Sequence, residues 1–246
     1  MENKNRVDRE EERVNLNSDI SDCPHTALNH DKLVYKRFYS PTTISISGTT
    51  GSGKSTWVNN LLKWKKEMFT NPAEKIMYCY GVYQDVFDKM ERELGIMFHD
   101  GLPSEDTVES FANGARNIII LDDLMHLAVN STHVQSLFTK GSHHKNLTII
   151  YLNQNMYSWY CQGKAARTTN LNTHYMVLLW NPRDTSQVGT LAKQTGLGKS
   201  LLEAYGDCTH KPYGYLVVDL SPHSHDQYAL KTDIFPNEDT IVYVPI

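Results

Sequence analysis

Cysteine is scarce in this sequence, and what there is does not cluster. Its four cysteines, Cys23, Cys79, Cys161 and Cys208, lie far apart and form no CxxC pair. That argues against a disulfide framework or a cysteine-based zinc site, and free buried thiols are expected instead. Long apolar runs are missing too. None approaches the roughly 20 residues that span a bilayer, so no membrane partner is expected. The N-terminus is charged where a secretory leader would be apolar, which gives an intracellular location as the expectation. A dominant charge is also lacking. The net charge of −4 over 246 residues offers no general attraction for nucleic acid, so any DNA contact must come from local basic loops. There are no internal repeats and no low-complexity tracts.

What is present divides unevenly. Glu2 to Asp22 is dense in Glu, Asp, Arg and Asn, with only isolated Val7, Val14, Leu16 and Ile20. Such a segment buries too little apolar surface to offset its ordering entropy. Residues 1–30 are therefore read as a charged, disordered tail and residues 31–246 as a single domain. Within that domain β-branched runs alternate with helical patterns. Strands are expected at Thr42–Ser47, Ile76–Tyr80, Ile96–Phe98, Asn117–Leu121, Leu147–Leu152, Tyr175–Trp180, Tyr215–Leu220 and Ile241–Val244. Helices are expected at Lys54–Lys66, Gln84–Leu94, Thr132–Lys140, Asp184–Thr195 and Lys199–Tyr205. The alternation predicts an α/β fold, a mostly parallel sheet covered by helices on both faces.

The strongest chemical signal is Gly48–Ser55, GTTGSGKS, between an expected strand and an expected helix. Gly48, Gly51 and Gly53 let the backbone turn tightly so that successive amides face an anion. Thr49, Thr50 and Ser52 fill the loop, and Thr56 continues the first helical turn, whose positive end favours phosphate. Lys54 would reach the β- and γ-phosphates and Ser55 would ligate Mg²⁺. This is a Walker A loop, which makes the chain a P-loop NTPase with ATP and Mg²⁺ as its cofactors.

A second element, Ile118–Ile119–Ile120–Leu121–Asp122–Asp123, puts two carboxylates at the end of a buried strand, where open parallel sheets bind ligands. Asp122 suits a Walker B role, holding Mg²⁺. Asp123 suits a general base for the attacking water, although it is one methylene shorter than the Glu of many ATP motors. A strand-end or capping role is its bland alternative. In the next buried strand's LNQN, Gln154 is the preferred sensor of the γ-phosphate, with Asn153 as runner-up. The stretch from Lys54 to Asp122 holds at least one extra strand, so the phosphate strand and the carboxylate strand are not expected to be neighbours. That is the RecA-like, additional-strand arrangement of ATP-hydrolysing motors, and the guanine-reading NKxD pattern is absent.

Several longer stretches carry a resemblance: ILDDLM (Ile120–Met125), LFTKGSHHKNLTIIYLNQN (Leu137–Asn155), RTTNLNTHYMVLLWNPRD (Arg167–Asp184), LAKQTG (Leu191–Gly196) and PYGYLVVDL (Pro212–Leu220). From Ser40 to Pro236 the chain resembles viral genome-packaging ATPases of the FtsK/HerA superfamily. The form it is most similar to is that of Polintons and adintoviruses, related to poxvirus-type packaging ATPases. The resemblance implies a ring-forming, hexameric motor, driven by Mg²⁺-ATP, that moves double-stranded DNA into a capsid at a viral assembly site in the host cell. The partners implied are duplex DNA, further copies of this chain, and a capsid or portal protein.

A ring motor needs an arginine finger from the neighbouring subunit. Arg167 is the first candidate and Arg183 the second, each with a surface ion pair as its bland alternative. Lys140, His143, His144 and Lys145, with Lys164 and Arg167, are candidate phosphate contacts for a salt-sensitive grip on DNA; solvated basic loops are the plain alternative. Neither His143–His144 nor His223–Asp226 has a third metal ligand at standard spacing. Tyr78, Tyr80, Tyr83, Tyr151 and Tyr157 read as core or groove aromatics. Two other functions stay open on sequence: a nucleotide-gated assembly scaffold with little hydrolysis, and a nucleoside or nucleotide kinase.

Overall fold

The computed structural model describes residues 13–15, 36–124, 127, 131, 136–138, 145–156, 172–183 and 185–244. Its logic is visible in β2 (Thr43–Ser47), where isoleucines alternate with hydroxyl residues. Ile44 and Ile46 point into the core on one face of the sheet. Thr43, Ser45 and Ser47 are buried on the other face, as the two-residue period of a strand requires.

The chain then turns into α1 (Lys54–Lys63), whose Trp57, Val58, Leu61 and Leu62 form the buried stripe. The expected helix through Lys66 is interrupted at Trp64 (φ −98°, ψ 22°). A short α2 (Lys65–Met68) follows and carries Met68 and Phe69 into the core beside Phe38. Next come β3 (Lys75–Tyr80), α3 (Val86–Leu94) and β4 (Met97–Asp100). Helix α4 (Glu105–Ala112) has no counterpart in the sequence reading. Its signal is a cap: the Ser104 hydroxyl accepts the Thr107 amide at 3.1 Å, and two acidic residues sit in the first turn.

Strands β5 (Asn117–Asp122), β6 (Leu147–Asn153) and β7 (Tyr175–Leu179) are buried along their whole lengths. After them come α5 (Thr185–Thr195), α6 (Gly198–Cys208), β8 (Tyr215–Asp219), β9 (Leu230–Thr232) and β10 (Ile241–Tyr243). Arg13–Asn15, within the segment read as a tail, forms β1 and pairs with β10. The helix expected at Thr132–Lys140 lies almost wholly outside the described residues.

The sheet order is β1-β10-β9-β8-β7-β2-β6-β5-β3-β4. From β7 to β4 the pairings are parallel. Beyond β7 the sheet continues antiparallel through β8, β9, β10 and β1. Helices α1 and α3 cover one face, with Trp57, Leu61, Phe87 and Met90 packed against Ile46, Tyr78 and Ile120. On the other face α4 covers β3, β5 and β6, and α5 with α6 covers β7 and β8. The mostly parallel sheet with helices on both faces is the P-loop NTPase architecture, and β6 lies between β2 and β5 as the additional-strand reading requires. No described helix is long and apolar enough to cross a membrane. Cys79 and Cys208 are free and buried. Burial pushes the Cys79 thiol up to about 12 and raises that of Cys208 as well.

One charged pair is sealed where the sheet turns antiparallel. Lys231 Nζ lies 2.9 Å from Asp219 Oδ2, with both side chains less than a tenth exposed (3% and 7%), and Asp219 Oδ1 accepts the Ser221 amide. Removing one partner would strand a buried charge, which costs about 3–5 kcal/mol, whereas an apolar pair of similar volume is close to neutral. Asp219→Ala is therefore expected to lose about 3–5 kcal/mol in urea unfolding, and the double variant Asp219→Leu/Lys231→Met to recover most of it. A single variant as stable as wild type would refute this account of the pair.

Candidate nucleotide site

The loop between β2 and α1 is shaped by its glycines. Gly51 and Gly53 take φ of 80° and 104°, values that side chains resist. Gly48 is needed for close approach instead, since a Cβ there would lie 2.5 Å from Ser52 Oγ and 2.9 Å from Leu179 Cβ. Its amide donates to the Asn153 carbonyl at 3.2 Å, tying the loop to the tip of β6. Thr49 Oγ1 donates to the Trp180 carbonyl at 3.4 Å, tying it to the end of β7. Thr50 is exposed and Ser55 half-buried, and Thr56 faces solvent on the first turn.

Helix α1 begins at Gly53 with no side-chain cap and no acidic residue in its first turn. Its opening amides have no intrahelical acceptor, so the positive helix end is left for an anion. Lys54 Nζ donates to the carbonyls of Gly48 (2.6 Å) and Thr49 (2.9 Å). A phosphate must compete with those two acceptors for it. Burial lowers the Lys54 pKa, against the pull of Asp122 and Asp123.

The acidic half of the site lies across β6. Asp122 ends β5, is 7% exposed, and accepts the Tyr78 hydroxyl on Oδ2 at 2.7 Å. Tyr78 stands on β3, one strand over, and the Ser55 hydroxyl faces the same phenol oxygen. The carboxylate is thus held by a tyrosine read from sequence only as a core or groove aromatic. Burial raises the Asp122 pKa, Asp123 adds to the rise, and Tyr78 and Lys54 oppose it. Asp123 leaves the strand in the left-handed region, φ 55°, and points to solvent. Its Oδ1 accepts Gln154 Nε2 at 3.4 Å, so the expected base and the expected sensor are brought together. The Gln154 carbonyl in turn accepts from Asn181 Nδ2 at 3.3 Å.

The runner-up, Asn153, is 2% exposed, and neither of its amide atoms has a hydrogen-bond partner. The buried hydroxyls of Ser47 and Ser52 are likewise unsatisfied. Arg167 lies outside the described residues, as do Lys140, His143, His144 and Lys164. Arg183 is described and exposed, its amide donating to Asn181 Oδ1 at 3.2 Å. Lys145 pairs with Glu109 of α4 at 3.2 Å, which favours its plain structural reading. Among the described residues no cluster of three metal-ligating side chains occurs. The donors here that suit Mg²⁺ are one hydroxyl, Ser55, and one carboxylate, Asp122, a pair that fits an ion sharing its shell with phosphate and water.

No family model matches the chain, and no curated protein does. Among solved structures, it is similar to the genome packaging NTPase B204 from Sulfolobus turreted icosahedral virus 2, solved with ATP-γS: 12% identity, 83% of this chain and 98% of that one, TM-score 0.44. ATPases 2 and 3 of Thermomonospora curvata EccC give 11% identity, 82% and 36% coverage and a TM-score of 0.41. ATPases 2 and 3 of EssC from Geobacillus thermodenitrificans give 12%, 83%, 39% and 0.40. The chain spans nearly all of the viral protein and little over a third of the other two. At these scores the likenesses settle neither family nor activity.

The electrostatics of Asp122 make two predictions. Tyr78→Phe removes a hydrogen bond to the ionised carboxylate, so the Asp122 titration followed by carboxyl NMR is expected to move further upward; an unchanged midpoint would contradict the coupling. A carboxyl whose pKa is raised by folding binds more protons in the native state. Its cost is then absent below the unfolded pKa and grows as pH rises through the native one. Asp122→Asn is accordingly expected to stabilise the ligand-free protein at neutral pH, with the gain fading on acidification. A gain that grows toward low pH would reverse the sign of the argument.

Proposed function

We propose that this chain is an ATP-hydrolysing motor that moves double-stranded DNA, packing the genome of a virus or virus-like element into a capsid. One observation carries the enzymatic half. The glycine loop and uncapped start of α1 share a sheet edge with Asp122, Asp123 and Gln154, and the bridging strand β6 brings Gln154 within 3.4 Å of Asp123. Gly48–Thr56 would cradle the triphosphate with backbone amides, and Lys54 would exchange its loop carbonyls for β- and γ-phosphate oxygens. Ser55 and Asp122 would hold Mg²⁺, with Tyr78 fixing the carboxylate through its hydrogen bond to Oδ2. Bound Mg²⁺ supplies charge neutralisation on the phosphates. Asp123 would orient and deprotonate the attacking water, and Gln154, already bonded to it, would report the state of the γ-phosphate.

The DNA half rests on the resemblance between Ser40 and Pro236 to packaging ATPases of the Polinton and adintovirus kind. On that reading the chain works as a ring, taken as a hexamer, with Arg167 reaching the neighbouring site as arginine finger. The basic loops around Lys140 and Lys164 would face the duplex, a capsid or portal protein would be the docking partner, and the motor would act at the site of virion assembly in the host cell.

An ATPase assay with and without linear duplex DNA tests the reading. Turnover should require Mg²⁺ and rise with DNA in a salt-sensitive way; turnover indifferent to DNA at low salt would sink the motor reading. Lys54→Ala should abolish nucleotide binding, whereas Asp123→Ala should keep it and lose about 10²- to 10⁴-fold in turnover. Asp123→Ala turning over at the wild-type rate would remove Asp123 from the base role.

A further inference from the structure

The loop that enters β8 is built with unusual constraint. Strand β8 runs antiparallel to β7, with Tyr215 opposite Leu179. Its beginning therefore lies at the same sheet edge as the end of β7, the edge that carries the Walker loop. Gly214 admits no side chain, because a Cβ there would sit 2.0 Å from the Cys208 carbonyl oxygen. The Gly214 amide donates to the Lys211 carbonyl at 3.0 Å, and Lys211 Nζ grips both carboxylate oxygens of Asp233 at 2.6 and 2.9 Å. Between these anchors Tyr213 is held at φ 60°, a left-handed conformation that a bulky residue rarely adopts.

The strain places the ring in a poor location for a hydrophobe. Tyr213 is 72% exposed, more than any other large hydrophobic side chain among the described residues. Yet the ring is not adrift in solvent, for it lies against the phosphate loop. A Cβ on Gly53 would come within 2.9 Å of Tyr213 Cδ1 and 3.7 Å of its Cβ. A strained backbone, a rigid anchor and an uncovered aromatic beside the Walker loop are a costly combination, and packing within this chain does not account for it.

Topology supplies the occupant. The carboxylates and Gln154 end β5 and β6, on one side of β2, while β7 and β8 lie on the other. A triphosphate seated on Gly48–Ser55 with its γ end toward Asp122 and Asp123 must send its nucleoside the opposite way, toward β7 and β8. Trp180 is the other exposed aromatic there, but its ring is already stacked on Tyr205, centroids 6.3 Å apart and planes at 23°. We propose that Tyr213 is the base-stacking residue of the nucleotide site, its open ring face taking the purine of the triphosphate that Gly48–Ser55 holds. The proposal rests on the nucleotide-binding reading given above. Stacking recognises that a base is present more than which base it is, because every base has a π-face.

The test is calorimetric binding of Mg²⁺-ATP and of Mg²⁺-tripolyphosphate, which has no base, to the full chain and its variants. Tyr213→Ala should weaken ATP about 10- to 100-fold and leave tripolyphosphate unchanged. Tyr213→Trp should bind ATP within about threefold of wild type, which also shows that the loop tolerates substitution. Wild-type ATP affinity in Tyr213→Ala would overturn the proposal. Equal losses for ATP and tripolyphosphate would overturn it too, making Tyr213 a support of the loop. If wild type binds neither ligand and Lys54→Ala changes nothing, the nucleotide reading itself falls, an outcome set apart by the loss of tripolyphosphate in wild type.

Discussion

The site depends on one constraint of register, the insertion of β6 between the phosphate strand and the carboxylate strand. Ser47 pairs with Asn153, and Asp122 with Leu152. The ends of β2, β6 and β5 are thereby level, and β6 runs one residue further than its partner on β5. Strands stand roughly 4.8 Å apart, so Asp122 is set about 10 Å from the strand that feeds the Walker loop. That is room for phosphates and a metal between lysine and carboxylate, with the tip of β6 standing over the gap. Because β6 stands between them, its tip brings Gln154 to Asp123.

The same geometry explains the electrostatics. Lys54 and Asp122 are opposite charges in a partly desolvated cleft, and burial pushes each toward its neutral form. Their mutual attraction, and the hydrogen bond that Asp122 accepts from Tyr78, oppose these shifts without cancelling them, because loss of solvent is the largest effect on each group. The cleft is a place where a divalent cation beside Asp122 and a polyanion beside Lys54 would each meet a group already held at its position. Binding energy there comes from replacing weak local partners with fully charged ones, and little rearrangement of side chains is needed to reach it.

Much of the frame was legible in the sequence, since isoleucine alternation and continuous apolar runs report strand burial directly. The strands from Thr43 to Leu179 that build the parallel core, and the antiparallel β8 beside them, all appear where the pattern put them, within two residues. Helix α4 escaped because its apolar positions, Val108, Phe111 and Ala112, are too few to stand out. Strand β9 escaped because its centre is a lysine, buried only through a charge partner on the neighbouring strand. For the candidate site, the linear motifs singled out Lys54, Ser55, Asp122, Asp123 and Gln154, which the structure brings to one sheet edge. The role of Tyr78 was out of reach, because its contact with Asp122 is a matter of cross-strand register across 44 residues. Tyr213 was hidden for the same reason, its meaning arising only when an antiparallel turn returns the chain to the Walker edge.

Four of the eight buried polar side-chain atoms without a hydrogen-bond partner among the described residues lie around the loop. Ser47 Oγ, Ser52 Oγ and both amide atoms of Asn153 are buried without hydrogen bonds, and all belong to the loop or to paired positions at its base. Each such group costs on the order of 1–3 kcal/mol of stability, and alanine or valine at Ser47 would avoid it. Stability alone would therefore favour apolar replacements at these positions. Asp123 and Tyr213, two of the five non-glycine residues with positive φ, lie along the same stretch, from the tip of β5 to the turn before β8. Strain and orphaned donors gather where a protein makes its contacts with something else. On the proposed reading, the edge that meets the nucleotide would extend beyond the linear Walker motifs, from Asp123 at one end to Tyr213 at the other.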